Sequence, residues 1–480
     1  MATTGMLRFT HFWVLRGRRK AAIFAPENLK KTVIMSKWMV VLLAITMALT
    51  GIGQSCAQNQ RTLDSLQARI AALEMRTERV ENFHRRFIVG GYGEAVMSRM
   101  FYSDNYKRYT NADLYKDDDG FGQFDLPHVV IYMGYDFGHG WTMGTEIEFE
   151  HGGAETAVEI EEEETGEYET ETERGGEVAL EQFWLQKSLG KGLNLRMGHI
   201  IVPVGATNQH HMPNEFFTVY RPEGENTILP CTWHQTGISL WGRLKDWRYE
   251  MQFLPGLEAD LFGAKNWVHG GSASPYEFDI ANGYASALRV DNYSIPGLRI
   301  GVSGYYGKCG INSLKDYKYR DAGADGNLLI GSVDFHYDGY HWVVRGNFDY
   351  GHLSDSESIT RMNKTLGNNS VSPQTSVASD AIATGVEAGY DVLSQVVKAR
   401  EAGQKLYVFG RYDYYDSMLK TEGSVVDNPC WGRQKVTMGL NYHPIDAIII
   451  KGEYSYRLFK SQFNDEPTLS LGICYSGFFN

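Results

Sequence analysis

Six residues of types that bind ions or protons fall within one stretch of the chain, 205–231: His210, His211, Glu215, Tyr220, Arg221 and Glu223. Arg221 is the only guanidinium among carboxylates and imidazoles, a mixture suited to lining a hydrated passage. His210 and His211 carry no charge at neutral pH unless a neighbour shifts them. With Glu215 and His234 they hint at a metal site, but their spacing matches no compact ligand pattern, so neither metal nor cofactor is expected. Asp117-Asp118-Asp119-Gly120 reads as a polar turn, because the glutamate that would complete a calcium loop is missing. No G-x-S-x-G or comparable nucleophile motif occurs, and no catalytic residue is expected.

A second set of charges lies in runs that alternate with period two. Glu146 and Glu148 stand in 141–150, Arg196 in 192–204, Arg243 in 232–244, Arg345 in 341–351, Arg411 in 405–416, and Lys451 and Glu453 in 447–459. In 141–150, Trp141, Met143, Thr145, Ile147 and Phe149 alternate with Thr142, Gly144, Glu146, Glu148 and Glu150. One face of such a strand is apolar and the other charged. Alternation alone does not separate a soluble sandwich from a membrane barrel.

The connections separate them. Sixteen strands are expected near 86–97, 124–137, 141–150, 177–189, 192–204, 232–244, 247–257, 279–291, 298–307, 326–337, 341–351, 381–395, 405–416, 432–443, 447–459 and 467–480. Long connections such as 98–123, 151–176, 205–231, 258–278 and 352–380 alternate with tight ones such as Gly138-His139-Gly140, Gly190-Lys191 and Lys245-Asp246. Long loops on one rim, short turns on the other and an even strand number are the pattern of a transmembrane barrel. The expected fold class is therefore all-β: a 16-stranded antiparallel transmembrane β-barrel over 86–480, preceded by a short coiled-coil helix. The charges of the second set would then face the lumen.

Composition agrees. A mean hydropathy of -0.34 with 22% charged residues excludes a polytopic helical membrane protein. A net charge of -12 argues against a nucleic-acid partner. The run Met35–Ala57 has a lysine, an apolar core and small residues before Gln58, the layout of a cleaved signal peptide, and residues 1–34 read as an extension from an upstream start. Cleavage there would leave 38 basic and 57 acidic residues, a net charge of -19. Within 58–85, Leu63, Leu66, Ile70, Leu73 and Val80 follow a heptad-like spacing that suits a trimerising coiled coil.

The segments FIVGGYGEAV, IYMGYDFGHGWTMGTEIEFEHGG, LRMGHIIVPVGATNQHHMPNEFFTVYRPEGENTILPCTWHQTGISLWG and KVTMGLNYHPIDAIIIKGEYSYR resemble the phosphate-selective porin O and P family, in its Bacteroidetes form. The resemblance implies a homotrimeric porin of the Gram-negative outer membrane, bounded by lipid and lipopolysaccharide, with an inward third loop at 205–231. Phosphate selection needs closely placed basic residues, and that stretch offers only Arg221 against Glu215, Glu223 and Glu225. The expected function is passive diffusion of small hydrophilic solutes or ions, with a lean towards cations. The alternative is a binding or adhesion barrel with long surface loops and no open pore. The stretch 155–177 holds eleven Glu and one Arg, and is expected to be a solvated acidic hairpin. Cys231, Cys309 and Cys430 lie on or near outer connections, where one disulfide is allowed, and Cys474 is expected to face the lumen.

Overall fold

The structure, a computed structural model, describes residues 69–70, 73, 86–162, 168–273, 279–312, 324–366 and 370–478. The chain divides into two units, Met1–Phe87 and Ile88–Asn480. In the first unit Arg69, Ile70 and Leu73 are helical. The expected upstream extension, the signal peptide and most of the expected coiled coil lie outside the described residues.

Among the described residues seventeen strands make one antiparallel sheet. They are β1 (Phe87–Met100), β2 (Gly122–Asp125), β3 (His128–Gly138), β4 (Trp141–Glu162), β5 (Tyr168–Gly190), β6 (Leu193–Ile201), β7 (His234–Leu244), β8 (Trp247–Pro255), β9 (Tyr284–Asn292), β10 (Leu298–Lys308), β11 (Asn327–Gly339), β12 (Trp342–Leu353), β13 (Asp380–Asp391), β14 (Lys405–Lys420), β15 (Gly432–Ile445), β16 (Ile448–Leu458) and β17 (Glu466–Phe478). Each pairs with its sequence neighbour, and β1 closes the ring. It runs against β17 from Gly90↔Phe478 to Met100↔Thr468, and it also pairs with β3. β2 is a four-residue rim strand, so the wall itself has sixteen strands. Closure matters because a sheet in lipid has no water to satisfy an open edge.

Where the strands depart from the expected bounds, the causes are local. The expected strand 124–137 is split between β2 and β3 at Leu126-Pro127, because Pro127 has no N–H for the ladder. β6 stops at Ile201, two residues before Pro203. β13 stops at Asp391, whose carboxylate accepts from Leu393 N at 3.1 Å and starts a 3-10 turn, followed by the short helix Val397–Glu401. The connection 151–176 is not a loop. β4 and β5 run on through it, paired from Glu155↔Gly175 to Glu162↔Tyr168, beyond a register shift at Glu150. β4 has 22 residues, about 70 Å of extended chain, far more than the ~25 Å apolar band of an outer-membrane barrel. The hairpin therefore stands well clear of the membrane.

Tight turns close the other rim. His139 lies between Gly138 and Gly140, and all three have positive φ; Tyr340 and His341, with φ of 51° and 68°, form the two-residue turn between β11 and β12. The barrel is inverted relative to a soluble core. Leu240, Met251, Leu288, Val302, Leu329 and Val333 are exposed on the outside, while Arg289, Asp291, Asp334, Asp349 and Glu387 are buried within. Trp141, Trp247 and Trp342 stand exposed near the tight turns, and Phe253, Tyr284 and Tyr306 near the opposite rim. Two aromatic girdles flanking an apolar belt are the mark of a membrane-crossing barrel. Among the described residues no helix is long and apolar enough to cross a membrane.

Leu288, on the outer face midway along β9, is 54% exposed. Its replacement by Arg is expected to lower the unfolding free energy in lipid vesicles by about 2–4 kcal/mol, as for a cation near the midplane. Leu288→Met should be near neutral. Urea titration of both checks this, and equal stability would place Leu288 away from lipid.

Candidate functional site

The connection from β6 to β7, residues 202–233, turns into the barrel and crosses it. At its start Gly205 has φ +83, and a Cβ there would lie 2.4 Å from Glu225 Oε1. That glycine lets the Glu225 carboxylate accept from Ala206 N (3.0 Å) and Thr207 N (2.6 Å). Gly205 itself is held by Ser303 Oγ and by Arg289, which donates to its carbonyl at 2.9 Å. Asn208 ties the two ends of the segment together, donating to Val204 O and Pro230 O and accepting from Trp233 N at 2.8 Å.

The middle of the segment is secured to the far wall by side chains. Val219 N donates to Glu453 Oε2 at 2.7 Å, and Phe217 N to Glu387 Oε2 at 3.4 Å. Asn441 donates to Phe217 O at 2.9 Å, and Lys451 to Phe216 O (3.1 Å) and Thr218 O (2.8 Å). These backbone groups would otherwise be orphaned, since no strand lies beside them. The Phe217 ring stacks on Phe409 with centroids 5.3 Å apart, and the Arg345 guanidinium sits 4.9 Å from its centroid. Gly389 makes room for that ring; a Cβ at Gly389 would lie 2.4 Å from it.

The six expected constriction residues do not converge on one point. Glu223, in the helical turn Glu223–Ile228, accepts from Lys435 Nζ at 2.8 Å, Arg457 Nε at 2.6 Å and the Tyr415 hydroxyl. Burial opposes its charge, but Arg457 and Lys435 hold its carboxyl well below the usual range. Arg221 points the other way, 3.7 Å from Glu148 Oε1 and 3.5 Å from the Tyr92 hydroxyl. Tyr220 accepts from Gln123 at 3.2 Å. Glu215 lies 3.2 Å from His210 Nδ1, and burial pushes its carboxyl up to about 8. His211 lies 3.5 Å from Glu181 Oε1. His234 pairs with His199 at 2.5 Å.

The wall charges form paired networks. Arg289 and Arg299 share Asp291 and Asp334, with Arg289 2.9 Å and Arg299 2.5 Å from Asp334. Arg411 binds Asp413 at 2.6 Å and Glu387 at 3.3 Å, and Glu387 also takes Arg345. Arg196 lies over the rings of Trp184 and Trp241, and Arg243 over Tyr293. Glu146 accepts from Gln182. At the outer mouth, loop residues pack into a small apolar core. Trp267, with no exposed surface, donates to Ala378 O at 3.0 Å; Asn363 donates to Ala259 O at 3.0 Å; and His269 reaches Leu229 O at 2.8 Å. This last contact ties the mouth to the inward segment. Among the described residues the cysteines Cys231, Cys309, Cys430 and Cys474 are free thiols, and Cys474 is buried on the inner side of β17.

Sequence reading missed Glu181, Glu225 and Asn208. Asn208 and Glu225 act on backbone close in sequence, but nothing in their spacing signals it. Glu181 is displaced by a β-bulge, considered below.

No family model matches the chain. A protein of Aquifex aeolicus (strain VF5), described as uncharacterized, is 26% identical over 394 residues, spanning 79% of this chain and 77% of its own. Among solved structures, the outer membrane channel DcaP of Acinetobacter baumannii is similar with a TM-score of 0.48 and 11% identity, over 82% of this chain and 97% of that one. The high-pH structure of Pseudomonas putida OprB gives a TM-score of 0.48 at 10% identity over 84% and 96%. An anion-selective porin from Comamonas acidovorans gives 0.45 at 10% identity over 82% and 99%. The barrel of this chain is established by the closure of its own sheet.

Glu223→Gln leaves Lys435 without its carboxylate and Arg457 with Glu466 alone, and should cost about 3 kcal/mol at neutral pH. A carboxyl depressed in the fold stabilises fully above its unfolded value, near 4.5, and loses that contribution as pH falls through the folded value. The gap between wild type and Glu223→Gln should therefore be full at pH 7 and shrink below about 4.5. Unfolding measured from pH 3 to 8 checks this; a constant gap would remove charge from the explanation.

Proposed function

We propose that this chain is an outer-membrane porin of the Gram-negative type, giving small hydrophilic solutes or ions a passive route across the membrane. The observation that carries this reading is the segment 202–233, seated across a charge-lined interior within a wall that is apolar outside. A sheet closed around polar groups has a use for them only if water and solutes reach them. The likeness to the phosphate-selective porin O and P family supports the same reading, as do the expected signal peptide at 35–57 and the coiled coil at 58–85. A trimer set in lipid and lipopolysaccharide follows from that likeness.

Mixed charge argues against phosphate selectivity. Arg289, Arg345, Arg411, Lys435 and Arg457 each face carboxylates close at hand. A basic residue whose charge is already met by a carboxylate offers little to an anion in transit. The constriction on this reading is built from Tyr220, Arg221, Glu223 and their neighbours, with Glu146, Glu148, Arg196, Arg243, Lys451 and Glu453 along the walls.

A second reading has an observation of its own. Asp349 has no exposed surface, and Glu387 and Asp334 are 1% exposed, so these interior carboxylates are closed off from solvent. That favours a barrel whose outer loops bind a partner while the lumen stays shut.

Planar bilayers distinguish the two. The porin reading expects discrete conductance steps, a modest cation preference by reversal potential, and phosphate no more permeant than chloride. Arg221→Glu should lower anion permeability more than any other single change in 205–231. Silence across a range of voltages would favour the binding barrel, and strong phosphate preference would overturn the argument from mixed charge.

A further inference from the structure

On the wall facing Arg221, β4 and β5 are out of simple register. Glu146 pairs with Gln182, but Ile147 pairs with Leu180, so Glu181 is the extra residue of a β-bulge. Strict alternation would send Glu181 to the lipid side. The bulge instead turns it inward beside Gln182, where it has no exposed surface and neither carboxylate oxygen is in a close hydrogen bond, with the Thr232 hydroxyl nearby. An ionised carboxylate in that state is costly.

What faces it sharpens the problem. His211 Nε2 is 3.5 Å from Glu181 Oε1 and also has no hydrogen bond. His211 Nδ1 lies 3.1 Å from the carbonyl of Asn208. A carbonyl only accepts, so Nδ1 carries a ring proton. A neutral ring so oriented aims its Nε2 lone pair at a carboxylate. Lone pairs so placed repel unless an electrophile lies between them.

A third donor completes the cluster. Ligand atoms of Glu146, Glu181 and His211 all lie within 4.8 Å of one another. The 3.5 Å separation of His211 and Glu181 matches the edge of a tetrahedron of ~2.1 Å bonds, about 3.4 Å. The Asn208 carbonyl and the Gln182 amide, which donates to Glu146 Oε2, are the kind of outer contacts that orient metal ligands. Three carboxyl groups, those of Glu146, Glu148 and Glu181, gather near the single guanidinium of Arg221.

We infer that Glu146, Glu181 and His211 bind one divalent cation of the zinc class. An imidazole nitrogen beside carboxylate oxygens suits zinc, whereas calcium and magnesium favour oxygen alone. Two ligands come from adjacent wall strands and the third from the inward segment, so the ion pins that segment to the wall. This goes beyond the channel reading and does not depend on it.

The test uses the full chain in detergent, stripped with EDTA and titrated calorimetrically with zinc chloride. Wild type should show one tight site, unaffected by millimolar calcium, above any weak binding by the acidic hairpin. Glu181→Gln and His211→Ala should each weaken the tight site at least about 100-fold, leaving the weak binding unchanged. Heat-shifted gel mobility verifies that each variant holds a barrel; His211, lying on the connection, serves if the strand variant does not. Equal tight binding in wild type and a folded variant overturns the assignment. Absence of a tight site in wild type also overturns it, and would leave a proton on Glu181 as the way its charge is met. Conductance enters neither outcome.

Discussion

Every backbone N–H and C=O at lipid depth must find its partner within the protein. The ring of pairings that ends with β1 against β17 meets that demand, and the rest of the molecule follows from it. A closed sheet has two faces and no edge. Because alternate side chains point to opposite faces, the apolar half of each strand goes to lipid and the polar half is forced inside. The interior charges are thus a consequence of closure, and they must be reconciled with one another in a confined space.

They are reconciled by pairing in networks. Arg289, Arg299, Asp291 and Asp334 come from β9, β10 and β11, so each guanidinium meets carboxylates no more than two strands away. Such pairs add little net stability once desolvation is counted, but removing one partner leaves the other charge buried and unmet. The inward segment obeys the same rule with its backbone. Residues 216–219 have no strand beside them, and Glu387, Asn441, Lys451 and Glu453 supply the missing donors and acceptors. The wall side chains that keep the interior polar also hold the obstruction in place.

Much of this was legible in the sequence, for a physical reason. Period-two alternation and sorted loop lengths are local properties, and they recover the sixteen wall strands with their order. The path of 202–233 was legible only as a length. Its anchors lie far along the chain, with Val219 and Glu453 separated by 234 positions and Glu223 and Arg457 by the same number. No local pattern encodes such a meeting. The extension of β4 and β5 beyond Glu150 was legible as an acidic hairpin, because Glu-rich positions still alternate there, but the expected strand bounds stopped short of it.

Glu181 shows the sharpest limit of reading by parity. A single inserted residue reverses which side chains of β5 face inward, and the reversal cannot be seen without the partner strand. The same reversal makes the position informative. A bulge gives up regular pairing, and here it does so to bury a carboxylate at the point where the inward segment brings an imidazole nitrogen. Elsewhere in this interior, carboxylates such as Glu223, Glu387 and Asp413 are met by cations of the chain itself. Against β4 and β5 the chain brings one imidazole and one guanidinium to three carboxyl groups, and the proposed cation would complete that set.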